Sequence, residues 1–484
     1  MRETSERRYI APDSSGLISR LIFRELSLTV ALGLLHSLLP IAPQSEASAS
    51  TQSNNWVKDV SNPSGTEPKK LGEVRFEGQG FFRQKSDRAG GATSVFLNPD
   101  WTTEGTYFSA RLNAQAVTLL TDRSSFTVES ADAYVSTSRQ WIDDHQFTLG
   151  RRRYDWSVMD DRWKLGLWSP RFNWDPVRPQ QIGLTGLFYS YENRNWRVLA
   201  YASPISVPER GFPLRIEDGN LESSSPDWVS PFSQVNLMNQ AVDIRYSLQY
   251  PSMSDLLFMP GAALSVRHGD PSRTGVWAQA MIASLPVNQV DIALQAELMA
   301  STLTLNSTLH PRRLRHDIAS LEFGWNGEII KPWISVTGER PEGAAVPEGW
   351  ITSPVGPTLI SAGGVEFALP TGNNLGVQLI SARQSLPESN GAALSGASPP
   401  RFQWQDAVRF SAGWDGPSRY DYDFVWNYDI TNQSSLITAD FGLQAMRRLH
   451  LGVGADFFTS PTRQGFLGQF YGNDRVRARV TYAF

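Results

Sequence analysis

The sequence predicts an all-β fold, a transmembrane antiparallel β-barrel of about 18 strands with 16 as the fallback, and three observations predict it. The N-terminus carries an export pattern, and no later apolar run is long enough to cross a membrane as a helix. Two-residue alternation recurs along nearly all of the remaining chain. The chain also ends inside such a segment, at Phe484.

Export rests on Arg7, Arg8, Arg20 and Arg24, which precede an apolar run from Leu28 to Ala42, and on Ala47-Ser48-Ala49, the small-x-small pattern of a cleavage site. The run is interrupted by Gly33, His36 and Pro40 and falls short of the roughly 20 residues that a spanning helix needs. Residues 1–49 therefore read as a signal peptide, 50–71 as a polar periplasmic lead-in and 72–484 as the barrel. The chain has 0 Cys, which excludes a disulfide framework, thiolate metal ligands and a thiol nucleophile. With 44 Lys+Arg against 48 Asp+Glu, there is no basic excess to attract nucleic acid. Without spanning helices, only a closed barrel satisfies every backbone polar group in hydrocarbon.

The strands follow in the alternation. Tyr420, Tyr422, Phe424, Trp426 and Tyr428 alternate with Asp421, Asp423, Val425, Asn427 and Asp429, giving an aromatic outer face and a mostly polar inner one. Phe108, Ala110, Leu112, Ala114 and Ala116 alternate with Ser109, Arg111, Asn113 and Gln115. Val242, Ile244, Tyr246 and Leu248 alternate with Asp243, Arg245 and Ser247, and Val290 to Leu298 repeat the arrangement. About 19 segments qualify, whereas a barrel with both ends in the periplasm needs an even number; the weakest assignment is 85–105. Short links at Asp415-Gly416-Pro417, Asn326-Gly327-Glu328 and Pro370-Thr371-Gly372-Asn373 fall on one side, and long ones at 340–357 and 385–404 on the other.

At the end of the chain, Val476, Ala478, Val480, Tyr482 and Phe484 alternate with Arg475, Arg477, Arg479, Thr481 and Ala483. Val480, Tyr482 and Phe484 resemble the C-terminal assembly signature of Gram-negative outer-membrane proteins. That resemblance implies outer-membrane location, contact with lipid and delivery to the barrel-assembly machinery. Ala133-Tyr134-Val135 followed by Leu149-Gly150-Arg151 is similar to the general porin pattern, in which two paired strands lead into the loop that folds into the pore. It implies a constriction loop from about Arg152 to Gln181. The favoured reading is a channel for small polar or saccharide solutes; a homotrimer is one assembly it allows, and the sequence does not fix the oligomeric state.

That loop holds Trp156, Trp163, Trp168 and Trp174 among Arg151, Arg152, Arg153, Asp160, Asp161 and Arg162. Charges of both signs across a narrow pore sort solutes by polarity, and aromatic rings beside them suit sugars; packing on the rim is the alternative. Further candidate pore-lining residues are Arg111, Asp243, Arg245, Arg409, Asp421, Asp423, Arg477 and Arg479. An acidic-polysaccharide exporter and a structural or adhesive barrel acting through its loops are the other readings. An enzyme is the least supported, because only Asp143-Asp144-His145 clusters a histidine with acids, in a short turn. No catalytic, cofactor or metal site is expected.

Overall fold

The computed structural model describes residues 71–82, 91–120, 125–139, 141–211, 214–223, 233–237, 239–342, 349–352, 355–370, 372–385, 402–414, 419–461, 465–470 and 472–484. The expected signal peptide, nearly all of the lead-in, the link 415–417, Thr371 and most of 385–404 lie outside them.

Eighteen strands form the wall: β1 (Gly72–Phe81), β2 (Gly91–Glu104), β3 (Phe108–Leu119), β4 (Ser125–Thr137), β5 (His145–Arg152), β6 (Leu184–Glu192), β7 (Trp196–Ser203), β8 (Gly261–His268), β9 (Gly275–Pro286), β10 (Arg315–Asn326), β11 (Ile330–Glu342), β12 (Thr358–Ala368), β13 (Asn373–Gln384), β14 (Asp406–Trp414), β15 (Tyr420–Asp429), β16 (Ser434–Met446), β17 (Leu449–Thr459) and β18 (Arg475–Ala483). Each pairs antiparallel with its neighbours, and β1 pairs with β18 from Glu73↔Ala483 to Phe81↔Arg475, which closes the ring. Leu71 N donates to Phe484 O, and Phe484 N donates to Gly72 O, so the last residue is hydrogen-bonded into the seam. Closure leaves no free edge on the wall.

The alternation sets the faces. On β15, Tyr420, Tyr422, Phe424 and Trp426 are exposed on the outside while Val425, Asn427 and Asp429 are buried inside. On β18, Val476, Val480, Tyr482 and Phe484 point out, and Arg475 and Arg477 are buried. Trp101, Tyr107, Phe108, Trp141, Trp325, Tyr420 and Tyr482 are exposed near the end that carries the chain terminus, an aromatic girdle at one rim. A closed barrel with an apolar, aromatic outer belt spans a membrane, and in bacteria such barrels belong to the outer membrane. The chain is an outer-membrane β-barrel.

Turns at the terminus-bearing end are short. Asn193 Oδ1 accepts from Asn195 N and Trp196 N between β6 and β7, and Gly327 N donates to Ile330 O between β10 and β11. Short turns mark the periplasmic end and long loops the extracellular one, which agrees with the asymmetry read from the sequence.

Two of the expected barrel strands lie elsewhere. Gln240–Leu248 and Asp291–Met299 join Gln234–Leu237 and Thr304–Arg312 in a separate four-stranded sheet built from the β7–β8 and β9–β10 loops. Asp243 and Arg245 are exposed on that sheet and are not lumen residues. A solvent-facing amphipathic sheet produces the same period-two pattern as a barrel wall, which is why the sequence did not separate them. Residues 91–104, within the weakest assignment, form the single strand β2. Arg313 stitches these loops together by donating to Ser206 O, Val287 O and Leu256 O. Burial pushes its guanidinium down to about 10.

Candidate functional site

Ala133, Tyr134 and Val135 pair with Arg151, Gly150 and Leu149 across β4 and β5, so the two sequence triplets are register partners. Gly150 has φ 127°, and a Cβ there would lie 2.3 Å from Ala133 O, so only glycine fits. Arg153 then anchors the start of the loop: its N, Nε and Nη2 donate to Asp132 at 2.8, 2.9 and 2.7 Å. Arg151 donates to Glu129 and to Ser130 O.

Beyond that anchor the chain folds into the lumen. The helix α1 (Val158–Trp163) begins at Ser157, whose Oγ accepts from Asp160 N at 3.1 Å and donates to Glu322 on β10 at 2.6 Å. Glu322 also accepts from Val158 N and Met159 N, so a wall carboxylate occupies the helix N-terminus. Asp160 turns inward to accept from Leu167 N and Trp168 N at 3.2 and 2.9 Å, fixing the chain after the helix. Gln279 on β9 donates to Trp156 O, Arg162 pairs with Glu366 on β12 at 2.6 Å, and Arg409 on β14 donates to Arg162 O.

The second half of the loop is a strap, Arg171–Phe172 paired with Gln180–Gln181. Arg178 reaches the wall at β16 and β17, donating to Asp440 at 3.0 Å and to both oxygens of Asp456 at 2.6 and 2.7 Å. Asp175 accepts from Arg475 on β18 at 2.7 Å. Arg475 and Arg477 complete the network on Asp456 and Asp440. One loop thus holds wall strands on opposite sides of the ring.

The four tryptophans neither line the pore nor sit on the rim. Trp156, Trp163 and Trp168 are each 1 % exposed and pack with Met159, Trp404, Leu467 and Phe470 against inward-facing Trp277, Met281, Ile318, Trp333, Ile360 and Ile380. Trp174 packs in a second cluster with Phe96, Val117 and Phe172. They form the core of a plug. Stacking a sugar on these rings is not available in this arrangement, because other side chains already occupy their faces.

The filling is uneven along the axis. On β3, Leu119, Val117 and Gln115 are buried, while Asn113, Arg111 and Ser109 nearer the periplasm are half-buried. On β12, Thr358, Ile360 and Ala362 are buried but Gly364 and Glu366 are half-buried; on β15 the same change separates Val425 from Asp423. A charged vestibule opens there toward the periplasm. Arg111 pairs with Asp100 at 2.9 Å, Asp421 faces His450 at 3.5 Å, Asp423 is the register partner of Asp440, and Arg479 that of Glu77.

The expected residues thus separate into groups. Arg111, Asp421, Asp423 and Arg479 are half-buried on the inner face toward the periplasmic end; Arg162 and Arg409 tie the loop to the wall beside them, and Arg151, Arg153, Asp160 and Arg477 hold structure together. Asp161 lines a small recess with Lys164 and Arg171, and Arg152 lies over the rings of Tyr134 and Tyr154. Sequence reasoning missed Glu322, Asp440 and Asp456. The last two carry a readable signal, the repeated Ala-Asp-Phe of 439–441 and 455–457, an acid inside beside an aromatic outside. His145 Nδ1 lies 2.8 Å from Tyr189 Oη at the edge of its turn. Among the described residues no group of three or more acids and histidines has a metal-holding arrangement.

No protein-family model and no curated protein matches this chain. Among solved structures, the chain is similar to OccK9 (OpdG) of Pseudomonas aeruginosa at 10% identity, covering 85% of this chain and 96% of that one with a TM-score of 0.45. OccAB3 of Acinetobacter baumannii matches at 9% identity, 85% and 98% coverage and a TM-score of 0.43. A mutant porin of Rh. blastica matches at 10% identity, 85% and 98% coverage and a TM-score of 0.36. Likeness at this level leaves function to be argued from this chain's own geometry.

Proposed function

We propose that this barrel is a porin-type channel that passes small polar solutes, saccharides among them, down their own gradient across the outer membrane, without catalysis. The observation that carries the reading is the loop 153–183, which leaves the wall at the extracellular end and is pinned across the lumen above a charged vestibule. A loop in that position sets the width of the passage, and opposed charges around it favour polar solutes over apolar ones. The vestibule pairs carry both signs, Arg162 with Glu366 and Arg111 with Asp100, so the expected ion preference is weak.

Single-channel conductance of the refolded protein in planar bilayers, under a salt gradient, tests this. Steady openings with a small reversal potential are expected. A silent but heat-modifiable barrel would refute the channel and favour the second reading, a structural or adhesive barrel. The four-stranded sheet carried by its extracellular loops is the observation that supports that alternative.

A further inference from the structure

The lipid-facing wall is not equally tall all round. β9 and β10 run 12 residues each, whereas β7 and β8 run 8. At about 3.3 Å per residue and a tilt near 40°, eight residues climb about 20 Å along the membrane normal, short of the roughly 25 Å apolar band that such a barrel presents. The periplasmic end of this sector is set by the interfacial rings of Trp196 and His268, whose centroids lie 4.7 Å apart on the outward side of β7 and β8. The shortfall therefore falls at the extracellular ends of these two strands, where lipid tails would meet loop backbone that they cannot hydrogen-bond.

The segment that enters β8 stands at that level. A short helix, α2 (Met253–Leu257), starts at Ser252, whose Oγ accepts from Asp255 N at 3.1 Å. Exposure alternates without a break from Phe258 and Pro260 into Ala262 and Leu264 of β8, with Met259, Gly261, Ala263 and Ser265 less exposed between them. Phe258 thus continues the outward face of the strand beyond its end. Tyr250, Met253 and Phe258 are 83%, 66% and 66% exposed, yet the segment is tied down. Gln249 N donates to Leu309 O at 2.8 Å, Ser206 N to Leu257 O at 2.8 Å, and Arg313 to Leu256 O at 3.0 Å. Arg315, outward on β10, donates to Pro260 O at 2.7 Å and to Ser284 Oγ at 3.2 Å, which puts a cation beside the segment. Large apolar side chains fixed in an exposed position mark a contact surface.

We infer that residues 250–258 form a foot on the outer leaflet, completing the apolar belt above β7 and β8. Tyr250, Met253 and Phe258 enter among the acyl chains, and Arg315 lies at the level of the lipid phosphates. Two observations select lipid over a second copy of the chain: the foot continues the lipid-facing side of β8, and the height it adds is the height that β7 and β8 lack. Ser252, Ser254 and Asp255 are exposed on the same segment and supply the polar side that an interfacial helix turns to water.

The chain has 0 Cys, so Met253→Cys and Phe258→Cys can each carry one environment-sensitive fluorophore. The labelled barrels are reconstituted at low protein density in phosphatidylcholine vesicles, with or without phosphatidylcholine brominated on its acyl chains, and heat-modifiability confirms that each is folded. Leu264→Cys, on the outward face of β8, is the lipid reference, and Glu297→Cys, exposed on the extracellular sheet, is the water reference. Quenching by the brominated lipid at positions 253 and 258 is expected to reach about half or more of that at position 264, because all three belong to one apolar band. Should Phe258→Cys fail to give a folded barrel, Tyr250→Cys takes its place. Quenching at position 253 no greater than at position 297 overturns the foot. A blue-shifted label whose emission follows protein density and not bromination overturns it too, and assigns the surface to a second copy. Neither readout depends on conductance, so a silent barrel leaves this inference standing.

Discussion

Arg178 is the point at which the lumen strap can be loosened without touching the barrel wall. Its guanidinium makes three contacts with Asp440 and Asp456, and both acids are nearly inaccessible, at 9% and 0% side-chain exposure. Removing one partner of a buried ion pair ordinarily costs about 3–5 kcal/mol, because a naked charge is left behind. Here Asp456 keeps Arg475 at 2.6 Å and Asp440 keeps Arg477 at 2.5 Å, so neither acid is orphaned. The cost of Arg178→Gln then reduces to the lost charge-assisted hydrogen bonds, about 2 kcal/mol, or roughly a 30-fold rise in the open population of the strap. The native chain has 0 Cys, so a single Val177→Cys substitution reports that opening cleanly. Val177 is partly buried against the plug, and thiol labelling there should proceed through opening. The labelling rate should rise about 30-fold in the Arg178→Gln background, with heat-modifiability unchanged. Rates within about twofold of each other would refute the assignment of Arg178 as the tie, since the expected factor is far larger.

Other substitutions reach other parts of the structure. Trp163→Ala should destabilise the plug by about 3–5 kcal/mol, seen as an early transition in urea that the barrel wall does not share; a single coincident transition would count against a separable plug. Acid should release the strap as well. Burial pushes the Asp175 carboxyl up, but Arg475 and Arg178 outweigh it and hold the group below its ordinary value of 3.8. A depressed carboxylate contributes stability that is complete above 3.8 and is lost as the pH falls through the lowered value. Labelling at position 177, divided at each pH by the rate for the same thiol in the unfolded chain, should therefore be flat near neutrality and rise only below that value, and a rise already near pH 6 would point to another group. Phe484→Ala should cut the yield of folded barrel in cells while leaving the refolded barrel's thermal transition within about 1 kcal/mol, because the ring faces lipid and its backbone makes the seam bonds. Normal assembly in cells would remove the C-terminal residues as a recognition signal.

The wall was legible because each barrel strand meets two solvents. Lipid outside demands Tyr420, Tyr422, Phe424 and Trp426, and the interior accepts Asp421 and Asp423, so period two appears without any alignment. The plug was harder to see. It packs against the wall in the outer half of the lumen, so the inward positions it covers are apolar, and alternation fades where β13 reads Leu379-Ile380-Ser381-Ala382 with Leu379 outside and Ile380 inside. That loss of contrast toward the extracellular ends is the trace the buried tryptophans leave in the sequence.

The sheet above the wall has a consequence for how the chain enters the membrane. Its central pair is parallel, Asp243–Leu248 against Thr304–Leu309, and the two strands belong to loops separated by the whole β8–β9 hairpin. They meet only after that hairpin has crossed the bilayer and delivered its second loop to the far side. Once joined, the pair acts as a rivet, and the hairpin cannot be withdrawn without first unzipping strands already formed in water. Insertion of this part of the wall is thereby made directional, with the reverse step slowed by a contact that touches neither lipid nor lumen.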